Sequence, residues 1–96
     1  MGLADLTRDG VLAAIRECDE LGRDAFLHKY AFGPARAYRL VHDGRTYDSK
    51  AIAGVAHGHC AGVALTADEF SGGAKTVARR LQELGFTVAY GPGTTV

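Results

Sequence analysis

The dipeptide Asp43-Gly44 limits this chain more than any other feature. It lies between two strand-like runs, Tyr38-Arg-Leu-Val-His42 and Arg45-Thr-Tyr47. A two-residue connection between antiparallel strands needs positive φ, which glycine adopts freely and aspartate tolerates, so the stretch reads as a tight β-hairpin. The hairpin runs directly into Asp48-Ser-Lys-Ala-Ile-Ala-Gly-Val-Ala-His-Gly58, a small-residue segment behind capping residues, which predicts a helix over about Lys50 to Gly58. A hairpin feeding a helix is therefore the expected centre of the fold.

The flanking segments supply helices and one more strand. Thr7 is a plausible cap for a helix to Leu21, in which Val11, Ile15 and Cys18 recur at helical spacing and Gly22 is the stop. A shorter helix, about Arg23 to Tyr30, offers Phe26, Leu27 and Tyr30, and Gly33-Pro34 is expected to end it. Beyond the hairpin and its helix, Thr66-Ala-Asp-Glu69 has the form of a capping box for one turn that buries Phe70. Ser71-Gly72-Gly73 leads into a last helix to about Leu84, with Val77, Leu81 and Leu84 as its apolar stripe and Lys75, Arg79 and Gln82 opposite. Gly85 stops that helix and Phe86 to Tyr90 forms a closing strand. The expected fold class is α+β, a small single domain of order α-α-β-β-α-α-β with a short antiparallel sheet packed on a helical bundle. Residues 1–90 would form the domain, and 91–96 a tail or the start of a linker.

Wheel positions in the hairpin's helix place Ile52, Val55, Ala56 and His59 toward the core, with Lys50, Gly54 and His57 on a low, basic side open to another molecule. On the return strand, Arg45 and Tyr47 share one face, expected to be the solvent side of the hairpin. Charge is unevenly distributed in a chain of zero net charge. Residues 1–24 hold six carboxylates against three arginines, whereas residues 25–50 hold five cations against two aspartates, so the basic half contains the hairpin.

At 96 residues there is room for one simple site, not for separate cofactor and substrate domains. No apolar run approaches the roughly 18 residues of a membrane span, and the N-terminus lacks a signal-peptide pattern, so a cytoplasmic location is expected. Cys18 and Cys60 form no disulfide framework. His57, His59 and Cys60 resemble the start of a metal site, but tetrahedral zinc needs a fourth ligand and only His28, His42 or Cys18 remain to supply it; no metal is expected. Asp43, Asp48, Asp68 and Glu69 have simpler work as turn or cap residues than as acid–base catalysts, and no Ser/His/Asp or Cys/His arrangement follows a motif. The Gly-x-x-x-x-Gly-Lys pattern of a nucleotide-binding loop is absent, and no cofactor is expected. The chain has no asparagine, so it cannot supply the Asn of an HNH nuclease motif.

What remains is a set of basic and aromatic positions. Ser71, Gly72 and Gly73 ahead of Lys75 and Thr76 form either an ordinary helix start or one whose free N–H groups take a phosphodiester. Lys75 and Arg79 can track a phosphate backbone, or simply face solvent. Arg36, Arg39, Arg45 and Lys50 with Tyr38 and Tyr47 interleave positive charge and rings, a pattern suited to neutralising phosphates and covering bases, with Ser49 as a further contact; Tyr38 and Tyr47 read equally well as core rings with a wet hydroxyl.

The segments Leu40-Val-His-Asp-Gly-Arg-Thr-Tyr-Asp-Ser-Lys-Ala-Ile, Asp68-Glu-Phe-Ser-Gly-Gly73 with Thr76-Val77, and Leu81 with Leu84-Gly-Phe86 resemble the N-terminal head domain of ScoMcrA-type restriction endonucleases over about residues 8–90. The resemblance implies a non-catalytic, double-stranded-DNA-binding reader of 5-methylcytosine. It also implies an HNH nuclease domain elsewhere, in cis or in trans, within type IV restriction. A methyl reader needs an apolar or aromatic surface beside a guanine-contacting arginine, for which Tyr38, Tyr47, Arg36 and Arg39 are the candidates. The alternative is a protein–protein interaction module using the basic face or a strand edge.

Overall fold

The computed structural model describes residues 3–33, 38–66 and 74–90. After a 3-10 turn at Leu3–Asp5 come α1 (Arg8–Leu21), α2 (Arg23–Tyr30), β1 (Tyr38–His42), β2 (Arg45–Asp48) and α3 (Ser49–Ala61). A π-helical segment, Ala74–Ala78, then runs into α4 (Arg79–Glu83), and β3 (Thr87–Tyr90) closes the chain. The order is the α+β order expected. Among the described residues, no helix is long and apolar enough to cross a membrane.

Local chemistry accounts for most boundaries. The Thr7 hydroxyl accepts the Gly10 N–H at 3.1 Å and so caps α1, while Gly22, at φ +89°, ends it. Asp43 and Gly44 have φ values of 52° and 76°, both positive as a type I′ turn requires, and the turn sets His42 opposite Arg45. Two stops differ from expectation: α3 runs past Gly58 to Ala61, where Gly62 caps it, and Ala31 in the left-handed region caps α2, ahead of Gly33-Pro34. The Phe32 N–H reaches back to the Leu27 carbonyl, closing the last turn without a glycine. The capping-box turn and Phe70 lie outside the described residues, except Thr66.

The sheet has the order β2-β1-β3, antiparallel throughout. Its register places Leu40 beside Tyr47 on one side and Val88 on the other, so these three share the inner face. Leu40 is fully buried there, together with Phe26, Ile52, Val77 and Leu81. Arg39, Val41, Thr46, Asp48, Thr87 and Ala89 occupy the outer parity.

α3 departs most from its helical wheel. Residues 51–57 are all buried, because α3 is the central helix, packed by α1, α2, the N-terminal turn, the sheet and the π-helical segment. A helix lined all round by small or apolar residues can be enclosed on every side. Its low-profile side does admit a close neighbour, but the neighbour is the chain itself. Gly54 lies so near Phe32 and the Leu65 carbonyl that an added Cβ would come within 2.5 and 2.7 Å of them. His57, expected on the open side, is fully buried, while His59, expected in the core, is exposed.

Candidate nucleic-acid interface

Folding pairs charges of the acidic first segment with charges of the basic second one. The end of α1 and the start of α2 meet the hairpin, so acidic and basic segments neutralise one another. Asp19 accepts the Tyr47 hydroxyl at 2.8 Å and lies 3.4 Å from Arg45 Nη1. Asp48 takes Arg23 through two bonds, Nε to Oδ2 at 2.8 Å and Nη2 to Oδ1 at 3.0 Å, with Arg39 Nη1 at 3.9 Å. On the far side of α1, Glu17 accepts from Lys29 at 2.8 Å and from the Tyr30 hydroxyl at 2.6 Å. Burial raises the Glu17 pKa, but the Lys29 and Tyr30 hydrogen bonds outweigh it, so the group ends below its ordinary value.

Two candidate residues turn inward: Tyr47, on a strand face expected toward solvent with a core ring as the open alternative, and Ser49 at the start of α3. Tyr47 is 6% exposed, its ring in the core and its hydroxyl held by Asp19. Burial, then the Asp19 hydrogen bond, push its pKa up to about 12. The alternation placing Arg45 and Tyr47 on one face is correct, but that face is the inner one. Arg45 escapes to solvent, 69% exposed, because it stands at the first position of β2 beside the turn. Ser49 is also buried, its hydroxyl donating to the Tyr38 carbonyl at 2.9 Å. Asp48 occupies the cap position of α3, but its side chain makes no cap bond, being committed to Arg23.

The remaining candidates are distributed as follows. Arg79 is 70% exposed on α4, with Glu83 at 3.5 Å. Arg39, Tyr38, Lys50 and Thr76 are half-buried. Lys75 belongs to the π-helical segment, with only its backbone described; Arg36, Ser71, Gly72 and Gly73 lie outside the described residues. β2 and β3 are opposite edges of the sheet, so Arg45 stands at one edge and Arg79 on the helix that leads into the other.

Not every arginine is available to a ligand. Arg80 donates to the carbonyls of Leu3, Ala4 and Leu6 and ties the N-terminal turn to α4. Arg8 donates to the Leu84 carbonyl and covers the Phe86 ring at 4.6 Å. The side chains of His57, His59 and Cys60 are engaged separately. His57 Nδ1 bonds the Val63 carbonyl, His59 faces Glu17, and Cys60 Sγ sits against Thr7. Among the described residues, no three His, Cys, Asp or Glu side chains gather as a metal site would require.

Sequence reasoning missed Arg23. It lies in a segment read as scaffold, yet it reaches 25 positions along the chain to Asp48. The two face a groove of about 760 Å³ beside the β2 edge, to which Cys18, Val41, Thr46 and Ala89 also contribute. No local signal marks such a long-range pair, and it runs against the charge surplus of the sequence, joining an arginine of the acidic segment to an aspartate of the basic one.

No curated protein matches this sequence. A solved structure does, that of the type IV phosphorothioation-dependent restriction endonuclease ScoMcrA, at 36% identity and a TM-score of 0.63; the match covers 94% of this chain and 14% of that one. The chain thus corresponds to a small part of that enzyme. The family model of ScoMcrA-like N-terminal head domains matches residues 4–90, and the chain belongs to that family.

Proposed function

We propose that this domain is a non-catalytic, duplex-DNA-binding head for a modification-dependent restriction endonuclease, with cleavage performed by a nuclease domain elsewhere. The observation that carries this is the family match over residues 4–90, whose solved relative is a type IV restriction endonuclease. The exposed guanidinium of Arg45 is consistent with it, since it can reach a phosphate without dismantling the core. Backbone contacts of this kind supply affinity that falls steeply with salt and carries little sequence information.

Discrimination of 5-methylcytosine is the finer part of the proposal. With Tyr47 withdrawn into the core and Tyr38 half-buried on the inner parity of β1, Arg39 on the outer parity is the described candidate that could contact a guanine beside a methylated base. The solved relative is instead phosphorothioation-dependent, and phosphorothioation changes the backbone and not the base.

The test is binding of the purified domain to unmodified, 5-methylcytosine and phosphorothioate duplexes of one sequence across a salt series. The expected result is binding of all three at low salt, with a modification preference of ~1–3 kcal/mol at most. If no duplex binds at low salt, the DNA role is wrong. Equal affinity for methylated and unmodified duplexes removes 5-methylcytosine reading while leaving DNA binding intact.

A further inference from the structure

The Asp48 carboxylate is buried, yet it faces two arginines from different elements, Arg23 at the start of α2 and Arg39 on β1. A buried carboxylate with this geometry fixes its partners in direction as well as charge. Asp48 engages two of the five N–H groups of the Arg23 guanidinium. The remaining three belong to a side chain that is 46% exposed and lines the groove beside the β2 edge. Arg45 lines the same groove from the hairpin turn, held 3.4 Å from Asp19. The floor between them is low and uncharged, built from Val41, Thr46 and Ala89 on the outer sheet parity.

We propose that Arg23, Arg39 and Arg45, the first two aimed by Asp48, form the phosphate-contacting surface of this domain, with the DNA sugar–phosphate backbone laid across the groove. The inference rests on the DNA-binding role above and places it at this edge of the sheet instead of on α4. Arg39 borders the groove, since its strand partners Asp48 and Ala89 both line it, and it supplies the positive excess that favours this occupant: the lining itself pairs Arg23 and Arg45 with Asp19 and Asp48, and both carboxylates are already engaged from the protein side. Small residues on the floor let a bulky backbone approach without displacing side chains. The planar fork of Arg23 matches a phosphate's paired oxygens as a lysine's point charge does not.

The experiment measures binding of an unmodified duplex across a salt series by wild type, Arg23→Gln, Arg45→Gln, Arg79→Gln, Arg23→Lys and Asp48→Asn, each checked for folding by circular dichroism. Arg23→Gln and Arg45→Gln should each lower the slope of log affinity against log salt by about 0.9, one phosphate contact apiece. Arg79→Gln should leave the slope unchanged. Asp48→Asn separates aiming from charge. Removing a negative charge alone would tighten DNA binding, whereas losing the aim of Arg23 and Arg39 weakens it, which is the expected result. Arg23→Lys keeps the charge and loses the fork, so it should also bind more weakly, and it carries the same question should Asp48→Asn fail to fold. If wild type binds DNA but the slope falls only for Arg79→Gln, the groove is not the contact surface and the DNA role survives. If Asp48→Asn binds more tightly, or Arg23→Lys binds as wild type, Asp48 does not aim Arg23. If wild type binds no DNA, both proposals fall together.

Discussion

Tyr47→Phe is the most direct probe of how the hairpin joins the helices. The substitution keeps the buried ring and removes one hydroxyl, which donates to Asp19 at 2.8 Å from a residue only 6% exposed. A hydrogen bond to a charged acceptor is worth about 1.5–3 kcal/mol. Asp19 is partly exposed and keeps Arg45 at 3.4 Å, so its carboxylate is not stranded and the lower end, about 1.5 kcal/mol, applies. For a domain of this size, that corresponds to a fall in Tm of roughly 6–12 °C. The pH dependence adds an independent signature. The Tyr47 pKa is pushed up to about 12, by burial first and the Asp19 bond second, against an unfolded value of about 10. The folded state thus favours the protonated phenol. Its contribution is complete below about pH 10 and is lost as pH rises from there through about 12. Thermal unfolding of wild type and Tyr47→Phe from pH 7 to 11.5 would show a gap at neutral pH that narrows in the alkaline limb. A variant with unchanged Tm and the same alkaline limb would refute the inward placement of Tyr47.

Other substitutions test the rest of the packing. Gly54→Ala would ordinarily strengthen a helix by about 1 kcal/mol, but here the new methyl meets Phe32 and the Leu65 carbonyl, and overpacking of about 1–3 kcal/mol should dominate; denaturant unfolding would show a lowered midpoint. Arg80→Met should cost about 2–3 kcal/mol by leaving the carbonyls of Leu3, Ala4 and Leu6 without their donor, and limited proteolysis should cut the N-terminal turn sooner. Glu17 has a lowered pKa: burial raises it, and the Lys29 and Tyr30 bonds more than reverse that. Its contribution is therefore present above the ordinary carboxylate pKa and lost as pH falls through the lowered folded value. Glu17→Gln should flatten the acid limb of a Tm-versus-pH curve, and an unaltered limb would remove Glu17 from acid unfolding.

The elements of this domain were legible because each carries a local signal. Thr7 caps, Asp43-Gly44 turns, Gly22 and Gly85 stop, and period-2 or period-3.6 apolar spacing does the rest. Those are interactions within a few residues, and their chemistry is written in the segment that makes them. Alternation along β2 likewise paired Arg45 with Tyr47 on one face. It could not say which face met the helices, because a ring with a polar tip suits either side and only the packing of Leu40, Tyr47 and Val88 decides. The same holds for α3, whose small residues permit close approach but do not name the neighbour; Phe32 and the 63–65 loop fill that space. The site shows the limit most clearly. Exposed basic positions were readable from composition, whereas the Arg23–Asp48 pair joins residues 25 positions apart. A carboxylate's partner at that separation is set by where the elements dock, so the sequence by itself determined the parts of this protein and their order, and the tertiary structure alone decided which charges face one another and which are left exposed.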